Sequence, residues 1–369
     1  MNAIVTTERA ANDWTLRCAG RTGQSAPGRA PLAAPIEPKQ LPEIRAEIVD
    51  WLQRYDNVSA HWASITPPYN EAGMYADAQR NARFLRQGDL YFVSRQMADE
   101  VLTAAAEMPG YFLRLDDPPA PSGLVVWERP VNEPRELNLL IGAPVIAASW
   151  GPHPAGVEVR FWVHQEDWIA DTINAQERGD GRTLGPAEVA AARKSMRRDL
   201  PSRLIPATAT VLCPGEQATW PSSALRRRDL VSPVHVDDET IMAVAMAVAS
   251  EQALVATWKL MRQEIAVQEP VEPERAARKR IARISPQLPT EVRIVSLRRP
   301  APALGASTAA GAGRKGRVYT HREDVRPHWR NVYCPSTGDH DRKWIAAYER
   351  GPVGAPKRQA APLVSVLRR

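Results

Sequence analysis

Cysteine is scarce in this chain: Cys18, Cys213 and Cys334 stand far apart, and no Cys-x-x-Cys pair occurs. That argues against a disulfide framework and a Cys-rich zinc site, and it fits a reducing compartment. Long apolar runs are missing as well. The most apolar stretch, Ile241 to Ser250, is about half of what a membrane-spanning helix needs, and Glu251 follows it. The first nine residues show no basic start leading into an apolar core, so no secretory signal is expected. These absences predict a soluble, cytoplasmic protein without a membrane partner.

The common catalytic signatures are also absent. There is no Walker A loop, no Gly-x-Gly-x-x-Gly after a strand, no Gly-x-Ser-x-Gly and no His-Glu-x-x-His. Gly311-Ala-Gly313-Arg-Lys-Gly316 is glycine-rich but lacks the strand and helix that a phosphate loop requires. His321, His328, Cys334 and His340 are of ligand type, yet their spacings match no common two-plus-two pattern. No metal and no cofactor is expected. The acid pairs Asp116-Asp117, Asp237-Asp238 and Glu323-Asp324 fall at expected turns or helix starts. Glu166-Asp167, close to His164, could form part of a site, but reads by default as the charged end of a strand.

Phenylalanine is rare, with four residues against eleven tryptophans. Tryptophan needs an N–H partner when buried, and most of these read as core and sheet-packing anchors. The apolar share of 44% and the charged share of 24% are ordinary for a globular chain of 369 residues, long enough for two domains. Thirty-three prolines disfavour an all-helical bundle.

Charge is more informative in its distribution than in its total of +6. Between Pro273 and Arg330 stand fourteen Lys/Arg against four acids, which makes this segment +10 and the rest of the chain −4. A concentrated basic region attracts polyanions, although a solvated basic helix and linker have the same composition.

Residues 1–40 are rich in Ala, Pro, Gly and Thr and predict a disordered tail. Ile44, Ile48, Trp51, Leu52 and Tyr55 fall on one helical face. A second helix is expected over Met74 to Arg86, a short strand at Leu90 to Val93, and a helix capped by Ser94 and ending near Met108. Strands follow at 122–128, 144–150 and 156–164, the last two paired antiparallel across the turn at 151–156. Ala187 to Leu200 reads as helix and Ala207 to Cys213 as strand. A long helix opens at Asp237, with acids at its start where the dipole favours them. After it comes Glu269-Pro-Val-Glu-Pro273; Arg275 to Arg283 then reads as a basic helix and Glu291 to Arg298 as a strand. Pro300 to Gly316 reads as a flexible linker. Short strands are then expected around the turn Pro335-Ser-Thr-Gly338.

The fold class is therefore α+β: a helical N-terminal part, an antiparallel sheet region, a long helix and a basic C-terminal β-segment. The expected division is a tail at 1–40, a core domain at 41–270, a basic helix, strand and linker at 271–316, a Trp/His/Arg-rich β-segment at 317–352, and a tail at 353–369.

Four landmarks in one order carry a resemblance. They are Asp89-Leu-Tyr-Phe-Val-Ser94, Ala120-Pro-Ser-Gly-Leu-Val-Val-Trp-Glu128, Ala148-Ser-Trp-Gly151, and a C-terminal set. That set runs Val325-Arg-Pro-His-Trp-Arg-Asn331, Pro335-Ser-Thr-Gly338, Trp344-Ile345 and Gly351-Pro352. Over roughly residues 85 to 352 the chain resembles a group of actinobacterial and phage proteins with no assigned activity. Pro327 stands where that group often has glycine. The resemblance implies an ordered chain of bacterial or mobile-element origin, and it carries no catalytic residue or cofactor with it.

The C-terminal segment from Arg317 to Pro352 holds three of the seven histidines, two tryptophans and three tyrosines among arginines. Phosphate neutralisation by cations and stacking of bases on aromatic rings need that mixture. The expected contact surface for DNA or RNA comprises Arg275, Arg278, Lys279 and Arg280 with Arg326, His328, Trp329, Arg330, Lys343 and Trp344; Tyr333 and Tyr348 are further stacking candidates. One rival is a ribonuclease or other hydrolase, with His328 and His340 as acid and base and arginines for the phosphorane charge. The other is a protein-interaction module whose Trp-rich hairpin docks on a partner.

Overall fold

The computed structural model describes residues 34–54, 71–108, 111–132, 143–201, 203–214, 217–218, 238–298, 320–335, 338–352 and 354–357. The chain divides into two units, one ending at Arg298 and the other beginning at Arg299.

In the first unit the helices are α1 (Leu41–Leu52), α2 (Glu71–Gln87), α3 (Arg95–Ala106), α4 (Gln165–Asp180), α5 (Pro186–Asp199), α6 (Asp238–Met261) and α7 (Arg275–Ile284). The strands are β1 (Asp89–Val93), β2 (Tyr111–Phe112), β3 (Gly123–Trp127), β4 (Val145–His153), β5 (Gly156–His164), β6 (Leu204–Leu212), β7 (Gln217–Ala218), β8 (Ala266–Val271) and β9 (Val292–Leu297). Seven of them form one mixed sheet in the order β6-β5-β4-β3-β1-β9-β8. β1 runs parallel to β3 and β9, and every other pair in that sheet is antiparallel. The fold is α+β.

Helices cover both faces of the sheet. On one face Leu90, Phe92, Leu124, Val126, Ala147 and Trp162 pack against Ile44, Ile48, Leu52 of α1 and Ala78, Ala82, Leu85 of α2. On the other, Tyr91 stacks on Trp150 at 5.9 Å and Trp150 meets Trp258 of α6 edge-on at 5.4 Å. Trp127 Nε1 donates to Thr257 Oγ1 of the same helix. Trp127, Trp150, Trp162 and Trp258 are among the largest fully buried side chains, the anchoring role expected of them. Close packing here needs Gly123: a Cβ at that position would lie 2.4 Å from the Trp150 ring. A buried ion pair, Lys259 to Asp117 at 2.6 Å, fastens α6 to the loop after β2.

Several expectations are corrected. Gln165–Asp180 is helical rather than a charged strand end, with Glu166 and Asp167 in its first turn where the dipole favours acids. Strand β8 at Ala266–Val271 was not expected; Pro270 is tolerated because β8 lies at the sheet edge. Residues 271–298 are not set apart from the core domain, since β9 sits between β1 and β8 and α7 packs on α1. Ile36 is buried in the α1 cluster, so the N-terminal tail ends before residue 40. Residues 1–33, Tyr55 and the linker at 300–316 lie outside the described residues.

The second unit holds β10 (Glu323–Val325), β11 (His328–Cys334), β12 (Asp339–Ile345) and β13 (Tyr348–Arg350). β10 pairs with β13 and β11 with β12, both antiparallel and in one continuous register. The four strands are therefore two arms of a single hairpin, broken where Pro327, which has no N–H, faces Ala346. The tip is Pro335 to Gly338, as expected; Gly338 has φ +68° and its N–H donates to Cys334 O at 2.9 Å. The expected C-terminal tail is corrected at its start. Arg322 N donates to Pro356 O, and Lys357 pairs with Asp324 and Glu349. Among the described residues no helix is long and apolar enough to cross a membrane.

Candidate nucleic-acid interface

Helix α7 is short and strongly basic, and its two faces have different roles. Ala277 and Ile281 are buried, and Ile281 clusters with Ala46 of α1 and with Leu288. Successive residues turn by about 100°, so Arg275, Lys279 and Arg283 lie opposite the buried pair and Arg278 on one flank, and all four are exposed. None of the four pairs with an acid among the described residues. Like charges three and four residues apart weaken a helix, so packing on α1 has to hold α7 together. Arg280 lies on the other flank and reaches back to Glu43 of α1, with Nη2 to Oε2 at 3.0 Å. The Arg280 guanidinium holds the Glu43 carboxyl below its usual range. Arg280 therefore belongs to the α1–α7 contact, while Arg283, at the end of the expected basic helix, stands with the exposed set.

The hairpin of the second unit sorts its side chains by alternation. Directly opposed residues share a face, which puts Trp329–Trp344, Asn331–Arg342 and Tyr333–His340 on one side. His328–Ile345, Arg330–Lys343 and Val332–Asp341 fall on the other. Arg330 and Lys343 are both exposed and directly opposed, an arrangement that like charges disfavour and that an anion relieves. Arg326 is exposed beside the break at Pro327, and the His328 ring is tied through Nδ1 to Arg326 O at 2.9 Å.

Two expected contacts change here. Trp344 is only 2% exposed and packs on half-buried Trp329 at 5.2 Å, so its ring is not presented to a base. The exposed rings are instead Tyr333 at 55% and Tyr348 at 46%. His328 and His340 are not brought together: they face opposite sides of the ribbon, on rungs five residues apart. Among the described residues no three His, Cys, Asp or Glu side chains gather as metal ligands do.

The first unit offers one further place that the sequence reading missed. In open sheets ligands sit beyond the carboxyl ends of parallel strands, often at the N-terminus of the following helix. Here β1 leads through Ser94 into α3, but the Glu128 carboxylate accepts from Arg95 N at 2.6 Å. The chain's own anion fills that position. Glu128 closing a strand was the signal, and only the β1–β3 pairing gives it meaning. Two partly buried polar clusters also escaped notice. Asp77 pairs with Arg80 and Arg160, and Arg80 also reaches Glu158; burial and the adjacent Asp77 raise the Glu158 carboxyl. Arg293 donates to Asp89 at 2.9 Å beside Tyr91, whose hydroxyl is raised by burial and by Asp89. Both clusters tie sheet strands to their neighbours.

No protein-family model, curated protein or solved structure matches the chain.

Proposed function

We propose that the chain associates with nucleic acid through exposed cations, as a protein of a bacterial mobile element or phage. The observation that carries the association is the outer face of α7: Arg275, Arg278, Lys279 and Arg283, exposed and without acid partners among the described residues. Phosphate groups supply the charge that this face lacks. Arg326, Arg330 and Lys343 of the hairpin offer a second set of cations. Binding through such contacts is salt-dependent and weakly sequence-selective, because phosphates carry no sequence information. The mobile-element origin rests on the resemblance at the four sequence landmarks.

The test is a mobility shift of labelled single-stranded RNA and duplex DNA at about 50 mM and about 200 mM salt. The expected result is binding that weakens at least about tenfold between the two conditions and weakens further for Arg278→Glu/Lys279→Glu. Absence of binding at the lower salt, or affinity indifferent to salt, overturns the proposal.

A further inference from the structure

Trp329 and Trp344 pack together midway along the hairpin, whereas the rung nearer its tip presents rings to solvent. Tyr333 and His340 stand directly opposite, with ring centroids 5.3 Å apart and planes tilted by 59°. Tyr333 is 55% exposed, and His340 is exposed as well. Between the two ring pairs lie exposed Asn331 and half-buried Arg342. Along β11–β12 the register places Asp341 on the other face.

We propose that this face, Tyr333–His340 with Asn331 and Arg342, is a base-stacking platform that selects single-stranded over duplex nucleic acid; it rests on the nucleic-acid association proposed above. Same-face rungs of a strand are about 6.8 Å apart, roughly twice the 3.4 Å between stacked bases of one strand. A duplex keeps its bases paired and stacked and cannot offer one to each rung. A single strand with its bases spread can lay one on Tyr333 and bring the next to Asn331. The Asn331 amide carries both donor and acceptor atoms for a base edge, and the Arg342 guanidinium suits a phosphate. Stacking on an aromatic ring is tolerant of base identity, so the preference is for strandedness rather than sequence.

The test compares three probes on the full chain: a labelled single-stranded oligonucleotide, the duplex of the same sequence, and heparin as a polyanion without bases. Tyr333→Ala is expected to weaken single-strand binding about fivefold or more, with duplex and heparin affinities unchanged. Tyr333→Phe keeps the ring and is expected to retain binding. Thermal unfolding of each variant, expected to match the parent because Tyr333 is exposed, confirms that folding is intact. If the parent binds single strand and duplex equally, or Tyr333→Ala changes all three probes alike or none, the platform is overturned while polyanion binding stands. If the parent binds none of the three, the association beneath it is overturned too.

Discussion

His328 and His340 lie on opposite faces of one two-stranded ribbon, His328 opposite Ile345 and His340 opposite Tyr333. Along the strand the two rungs are about 17 Å apart. General acid–base cleavage requires both groups within hydrogen-bonding reach of one phosphate, so this pair cannot serve it within a single hairpin. The expected outcome is that His328→Ala and His340→Ala leave the products of labelled RNA after prolonged incubation unchanged from those of the parent. Cleavage abolished by either substitution, with the fold intact, would contradict the geometry.

The ion pair of Lys259 and Asp117 is sealed, with side chains 9% and 1% exposed. Removing one partner leaves a buried charge without its counter-ion, which costs about 3–5 kcal/mol. Asp117→Ala is expected to lower the midpoint of denaturant unfolding by a corresponding amount, measured against the parent at one pH. A change below about 1 kcal/mol, the range of surface pairs, would show that the pair is hydrated in solution.

His164 ends β5 and is buried, and its pKa is lowered to about 4, first by burial and next by Arg203; Glu166 opposes the shift. Its Nδ1 accepts the backbone N–H of Glu166 at 3.2 Å, a bond that a protonated ring nitrogen cannot make. Between pH 6.5 and about 4 the unfolded chain carries a proton on this ring that the folded chain lacks. Stability is therefore full above that window and falls as pH drops through it, by on the order of 3 kcal/mol at most. His164→Asn is expected to flatten the slope of unfolding free energy between those limits. An unchanged slope would place the acid sensitivity on carboxylates alone.

Local pattern was legible in the sequence where local physics decides it. Ile44, Ile48, Trp51 and Leu52 announce α1 by their spacing, and Gly151 to Gly156 announces the β4–β5 hairpin, although the strands run further into that turn than expected. Ser94 does precede α3, yet its side chain makes no cap; the Glu128 carboxylate takes the Arg95 N–H instead. That contact depends on the parallel pairing of β1 with β3, which no residue spacing encodes. The insertion of β9 between β1 and β8 was hidden for the same reason, because a strand's periodicity names its buried face and not its partner. At the candidate interface, residue types suggested the surface, while register and packing decide its members. Trp344 turns inward on Trp329, Arg280 is held by Glu43, and Tyr333 faces solvent.

The most direct test of phosphate contact by α7 is the salt dependence of binding to a short oligonucleotide. Parent and Arg278→Ala/Lys279→Ala/Arg283→Ala are compared as log affinity against log salt concentration. Each cation that neutralises a phosphate contributes about one to the slope, so the triple variant is expected to lose about three. Parallel lines for the two proteins would mean that the α7 face does not touch nucleic acid.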